Sequence, residues 1–530
     1  MSFVSFSFAF FVAAAVLLYY IVPAKHRYIV LLVFSYIYYV AACGKYVIYI
    51  LVTTAVSYAA SMAMEHFRED TEKLLKNGEL LNDRARKKEI KARLKGRLKL
   101  IMILCLCVDI GILAVLKYSE FVFANINRLR LDLFGNTDFI GFGNLVIPLG
   151  ISFYTFQTAG YIIDLYYMRY RAEKNPLKFA LFVSFFPQII QGPISRFNEL
   201  SVTLFNGNRL KADNIRRGLC MILFGVGKKL IIADRLSAFI GRSVASYEVL
   251  NGEYMLLTLF LYSMQLYADF SGGINITIGV ARLFGVEITE NFNRPFFSKS
   301  VAEYWRRWHI TLGTWFRDYI FYPISISKRL MKIGKRLSVV NEFFGKRFSL
   351  YTATIIVWTA TGFWHGPEWR YIVWGLLNGI IMCVSAELEP LYEKINRRIG
   401  WSDTSVLHKM FSVFRTFWIM SLLRTFDLSV RGLGQAAGIF KNIFTEFGRI
   451  HSATLEEMGL PKDELMVAMI GVAVLFVISM LQRKKSIYDR LMGSKEVYRW
   501  IVCAASLTLI VIYGYYGPGY DAADFIYMQF

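Results

Sequence analysis

The sequence predicts an all-α polytopic membrane protein, and three observations predict it. Hydrophobic residues make up 55% of the chain and aromatic residues 16%, with a mean hydropathy of +0.41, more apolar surface than a water-soluble core absorbs. Apolar windows recur from Phe3 to Tyr516, each of roughly 17 to 25 residues and so long enough to cross about 30 Å of hydrocarbon as a helix. Lys and Arg cluster between those windows and give a formal charge of +22, the pattern of cytoplasmic loops in a multi-pass protein. No nucleic-acid-binding motif accompanies that charge, so we read it as topology and not as a nucleic-acid surface.

In order, the windows lie at 3–22, 28–43, 46–63, 100–117, 147–167, 218–240, 254–280, 350–365, 369–388, 410–425, 465–482 and 500–516. The N-terminus has no basic n-region and Lys25 and Arg27 follow the first window, so it reads as a retained first span entering from outside. Residues 64–99 form a basic loop that ends in Lys87, Lys88, Lys91, Arg93, Lys95, Arg97 and Lys99, which fixes it on the cytoplasmic side. Alternating from there puts both termini and the acid-leaning loop 427–464 outside, provided 303–325 dips in and returns. The run 179–196 carries Pro187, Gln188, Gln191, Gly192 and Pro193 in an apolar setting. Broken backbone at membrane depth survives only under protein cover or beside a water-filled cavity, so this run also reads as re-entrant. The six cysteines sit in or beside apolar windows without ligand-spaced histidines, which implies neither a disulfide framework nor a metal site.

Of six histidines, His26, His66, His408 and His451 fall in expected loops or span ends. His365 ends an apolar run and is followed by Gly366 and Pro367, which stop the helix and free backbone groups beside the imidazole. It reads equally as a general base for a hydroxyl or as a core histidine bonded to a carbonyl. His309 lies in YWRRWHITLGTWFRDYIFYP. A continuous helix would put Trp305, Leu312, Gly313 and Phe316 on its face, making an aromatic slot. Arg294, Lys299, Arg306, Arg307 and Arg317 are then candidates to hold the phosphates of a cytoplasmic coenzyme A donor, with Trp305 and Trp308 beside its acyl chain; the competing reading is an interfacial Trp–Arg anchor. Gln157, Asp164, Gln265, Asp269, Ser271 and Asn275 read as interhelical glue.

Three blocks carry a resemblance: FFPQIIQGPISR from Phe185 to Arg196; YADFSGGINITIGVARLFGVEITENFNRPFF from Tyr267, running on to YWRRWHITLGTWFRDYIFYP; and GFWHGPEWRYIVWGLLNG from Gly362 to Gly379. They resemble the membrane-bound O-acyltransferase (MBOAT) family, in its bacterial branch of alginate O-acetylation and teichoic acid D-alanylation membrane proteins. The resemblance implies about 11–12 transmembrane helices with re-entrant segments around a central tunnel. Residues 146–388 are then the catalytic core, 1–145 the N-terminal helices and 389–530 the C-terminal ones. It also implies that His365 is catalytic and that His309 sits on the cytoplasmic side of the tunnel. The run Gly273-Ile274-Asn275 departs from the Gly-Tyr-Ser seen in many members, so no ligand contact is assigned there.

The length and the FIYMQF ending favour the acetylating branch. The expected function is O-acetylation of an extracytoplasmic glycan from acetyl-CoA, in a bacterial inner membrane, with no permanently bound cofactor. The acceptor is a serine or tyrosine of a separate extracytoplasmic acyltransferase, as the resemblance implies, or the glycan itself; no G-x-S-x-G elbow lies in the expected outer loops, so a partner protein is expected. The alternatives are D-alanyl transfer to teichoic acid, a glycan or lipid transporter, and a structural anchor for a secreted enzyme.

Overall fold

The computed structural model describes residues 2–76, 83–135, 138–141, 143, 145–189, 191–402, 405–448, 455–517 and 525. Among them all regular structure is helical apart from one isolated bridge between Phe292 and Trp308. Six helical runs are long and apolar enough to cross a membrane: Ala24–Lys76, Arg84–Phe134, Trp369–Glu387, Val406–Leu428, Lys462–Leu481 and Glu496–Tyr513. Val474, Phe476, Val511 and Ile512 on the last two are more than half exposed, a face that only hydrocarbon solvates without cost. The chain is an all-α polytopic membrane protein and divides into two units, residues 1–215 with 280–288 and residues 216–279 with 289–530.

The first unit holds α1 (Phe6–Ile21), α2 (Arg27–Cys43), α3 (Val47–Lys76), α4 (Arg84–Phe134), α5 (Ile151–Tyr166), α6 (Pro176–Ser184), α7 (Phe186–Ile189) and α8 (Phe197–Leu204). The basic stretch 64–99 is not an open loop. Its described residues extend α3 and α4, where Arg68 and Arg93 make i,i+4 pairs with Glu72 and Glu89. Within the membrane-facing part, Asp109 accepts from Ser57 at 2.7 Å, and Gln157 donates to the Phe182 carbonyl at 3.0 Å, so these polar groups do join helices. Backbone breaks after Ser184 and again beyond α7, where 191–196 is not helical.

The second unit runs α9 (Ala212–Gly227), a π-helical turn Lys228–Ala233, α10 (Asp234–Ala245), α11 (Gly252–Leu283), α12 (Val301–Arg307), α13 (Ile310–Phe316), α14 (Tyr322–Ser325), α15 (Lys328–Val340), α16 (Glu342–His365), α17 (Trp369–Glu387), α18 (Glu389–Ile399), α19 (Val406–Leu428), α20 (Leu433–Thr445), α21 (Lys462–Leu481), α22 (Ile487–Met492) and α23 (Glu496–Tyr513). The expected loop 427–464 thus contains α20 and the end of α19; His451 and residues 449–454 lie outside the described residues. The π turn shifts the register, so that successive lysines both reach α11. Lys229 lies 2.7 Å from Asp269 and 2.8 Å from Asp234, all nearly inaccessible, while Lys228 meets Asn275 at 2.7 Å and Ser271 at 3.1 Å. Removing one member of such a buried group strands a charge, at a cost of about 3–5 kcal/mol. Asp269, Ser271 and Asn275 are therefore interhelical glue, and it is lysine that they bind.

Candidate active site

His309 does not sit on a continuous helix. α12 ends at Arg307, Trp308 is extended and bridges to Phe292, and His309 takes a left-handed φ of 49° before α13 starts. The break comes from across the chain. Arg307 O accepts from Asn293 N at 2.9 Å and Asn291 O accepts from Ile310 N at 3.0 Å. The Asn291 Oδ1 accepts from Thr311 N at 3.0 Å and Thr311 Oγ1 at 2.9 Å, capping α13 from outside its own sequence. These bonds hold a left-handed non-glycine residue that alone would cost about 1–3 kcal/mol. The continuous helical face expected to join Trp305 to His309 is therefore interrupted, while His309 caps α13, its carbonyl accepting from Gly313 N at 3.1 Å. With Asn291 Oδ1 occupied, its Nδ2 faces His309 Nδ1 at 3.3 Å, so the ring accepts there and the neutral imidazole carries its proton at Nε2.

His365 ends α16 and is half-buried among aromatic rings, its own 4.9 Å from Trp374, 4.9 Å from Trp364 and 6.4 Å from Tyr371. Glycine decides how closely α16 and α17 approach. A Cβ on Gly362 would lie 2.2 Å from Tyr371 O, and one on Gly375 2.3 Å from Trp358 O. Trp364 also meets the His309 ring, at 5.7 Å. One indole thus lies between two imidazoles that are 56 residues apart in the numbering.

Of the residues read from the sequence as donor contacts, Trp305, Trp308, Arg306, Arg307 and Arg317 do not converge, and Arg294 lines a separate cavity. Trp305 donates to Asn378 Oδ1 at 3.0 Å and packs on Trp358 and Trp374, in the wall beside His365. Trp308 is core, stacked on Tyr304 at 5.6 Å. Arg307 pairs with Glu303 at 2.5 Å, Arg317 with Asp318 at 2.8 Å, and Arg306 is exposed.

Positive charge gathers instead around a cavity of about 290 Å³ lined by Lys228, Arg294, Arg483, Lys484 and Lys485, with Glu290 the one acid among the described residues that line it. Tyr267, Ser271, Asn275 and Asn291 also line it, so the residue that holds His309 forms part of its wall. The hydrogen-bond partners of Lys228, Ser271 and Asn275, are neutral, and the charge it interacts with across the cavity is Glu290. Desolvation, and then repulsion from Arg307 and Arg483, pull the Arg294 pKa below its ordinary value. The sequence signal for this site was the Lys228–Lys229 doublet inside an apolar window.

Residues 169–425 match the family model described as MBOAT, membrane-bound O-acyltransferase family. This segment is an MBOAT domain. Both histidines, the Asn291 loop and the glycine-packed α16–α17 hairpin fall inside it, whereas the Arg483–Lys485 side of the cavity lies beyond it. The chain is 36% identical over 287 residues to the "Probable alginate O-acetylase AlgI" of Pseudomonas aeruginosa, covering 54% of this chain and 51% of that protein. It is 30% identical over 369 residues to the "Peptidoglycan O-acetyltransferase" of Helicobacter pylori, covering 64% and 65%. It is 29% identical over 284 residues to the "Teichoic acid D-alanyltransferase" of Bacillus subtilis, covering 52% and 67%. The matches thus span about half to two thirds of these relatives' lengths.

Proposed function

We propose that this protein is an O-acyltransferase that moves an acetyl group from cytoplasmic acetyl-CoA to an extracytoplasmic hydroxyl, for O-acetylation of a cell-envelope polysaccharide. The observation that carries this reading is the pair of histidines flanking Trp364, one of them tied through Asn291 to a basic cavity. The relatives named for O-acetylation of alginate and peptidoglycan support acetyl as the group.

A nucleotide bearing several charges does not cross hydrocarbon at acceptable cost, so only the acyl group moves. In this account the donor's anionic end occupies the cavity, against Lys228, Arg294 and Arg483, with its thioester directed toward His309. His365 takes the proton from the incoming hydroxyl, whose oxygen bonds to the thioester carbon. The Nε2–H of His309 donates to the carbonyl oxygen as negative charge develops there. The C–S bond then breaks, and the leaving thiolate takes the proton from His365. The acceptor hydroxyl belongs to a separate extracytoplasmic acyltransferase, which passes the acetyl to the glycan. The protein sits in the bacterial inner membrane with both termini outside. Acetyl transfer from labelled acetyl-CoA to the envelope, lost on His365→Ala at equal protein level, tests the reading. Transfer that instead requires a D-alanyl donor would redirect it to teichoic acid chemistry.

A further inference from the structure

Arg424, near the end of α19, reaches both histidine-bearing motifs. It is 5% exposed. Its Nη1 donates to Asp427 Oδ2 at 2.7 Å, its Nη2 donates to Tyr304 Oη at 3.1 Å, and its guanidinium lies 4.7 Å from the Trp308 ring centre. Tyr304 and Trp308 are the stacked pair that leads directly into His309. On the other side, Asp427 O accepts from Arg370 Nη1 at 2.9 Å. Arg370 is gripped by both oxygens of Glu368 at 2.8 Å and covers Tyr371 at 4.5 Å, and Tyr371 is the ring stacked on His365. The turn that carries His365 and the break that carries His309 therefore share one hydrogen-bonded tether, and α19 supplies it.

We propose that Arg424 is a positioning residue for acyl transfer, fixing the separation of His309 and His365 through Tyr304 on one side and Asp427–Arg370 on the other. The proposal rests on the acyl-transfer reading. A planar fork that bonds two partners at once suits the task, whereas a lysine keeps the charge and loses the fork. The ions in this path balance, two Arg against Glu368 and Asp427, so no bound ligand is needed to complete it.

The test is steady-state acetyl transfer in membrane vesicles, with protein level and thermal unfolding measured for each variant. The variants are Arg424→Lys, Tyr304→Phe, their double and His365→Ala, with Arg347→Lys as a control for an ion pair elsewhere in the unit. Arg424→Lys and Tyr304→Phe each lower kcat by about tenfold or more, since misplacement near 1 Å can reach about 100-fold, while donor KM changes less than about twofold. The double variant is no slower than the worse single, because both cut one tether. Arg347→Lys matches wild type. Should Arg424→Lys fail to accumulate, Tyr304→Phe, which removes only a hydroxyl, decides alone. Wild-type kcat in Tyr304→Phe and Arg424→Lys, with His365→Ala inactive, would overturn the positioning role and leave the acyl-transfer reading intact. Full activity in His365→Ala would instead remove the reading beneath it.

Discussion

Replacing Gly362 with alanine tests whether the close packing of α16 on α17 sets the chemistry. An ideal Cβ there lies 2.2 Å from Tyr371 O, and ordinary contact begins near 3.4 Å, so α17 must withdraw by roughly 1 Å. Overpacking of this kind costs about 1–3 kcal/mol in stability. Tyr371 stacks on His365 and lies beneath Arg370, so the displacement is passed to the proposed base. A shift of about 1 Å at a reacting group corresponds to about 100-fold in rate. The assay is acetyl transfer per molecule of membrane-inserted protein, with thermal unfolding followed in parallel. Gly434→Ala is the control, because nothing lies within 4 Å of its Cβ and alanine favours helix. We expect Gly362→Ala to remain in the membrane, unfold at lower temperature and transfer about 100-fold more slowly, with Gly434→Ala normal. Wild-type transfer by Gly362→Ala would refute the link between helix spacing and catalysis.

Two further predictions concern the cavity. Lys228→Gln removes a charged donor worth about 1.5–3 kcal/mol in a charge-assisted bond. Donor KM should therefore rise by about tenfold or more, with kcat nearly unchanged; an unaltered KM would move the donor's anionic end elsewhere. Glu290 is solvent-exposed at the cavity, and desolvation first, with Asp489 adding, raises its pKa against the pull of Arg217 and Lys228. A raised carboxyl pKa means that Glu290 becomes neutral at a higher pH than a free glutamate, so acidification removes this negative charge from the cavity. Donor KM should fall as pH is lowered toward that range, and Glu290→Gln should have low KM throughout and lose this part of the dependence. A KM profile for Glu290→Gln that parallels wild type would contradict the assignment.

Much of the fold is legible from hydropathy because bilayer thickness imposes one length on every span. The window 28–43 became α2 (Arg27–Cys43) and 369–388 became α17 (Trp369–Glu387). The stop at His365 was legible for a local reason, since Gly366 and Pro367 announce it. The break at His309 was not, because no Gly or Pro stands between Tyr304 and Gly313. It is imposed by Asn291 and Asn293 through tertiary bonds, which periodicity cannot report. The basic cavity was hidden for a similar reason. Lys228 and Arg483 lie 255 residues apart in the numbering; of the basic residues that the sequence groups near His309, Arg294 does line the cavity, while Arg307 and Arg317 are paired with nearby carboxylates.

The most direct test of the central claim is the transfer of label from acetyl-CoA to glycan or envelope protein in cells expressing the wild-type chain or His365→Ala, at matched membrane levels. We expect label with the wild type and none above background with His365→Ala. Equal labelling in the two would contradict it, because the imidazole between Trp364, Tyr371 and Trp374 would then have no part in the reaction.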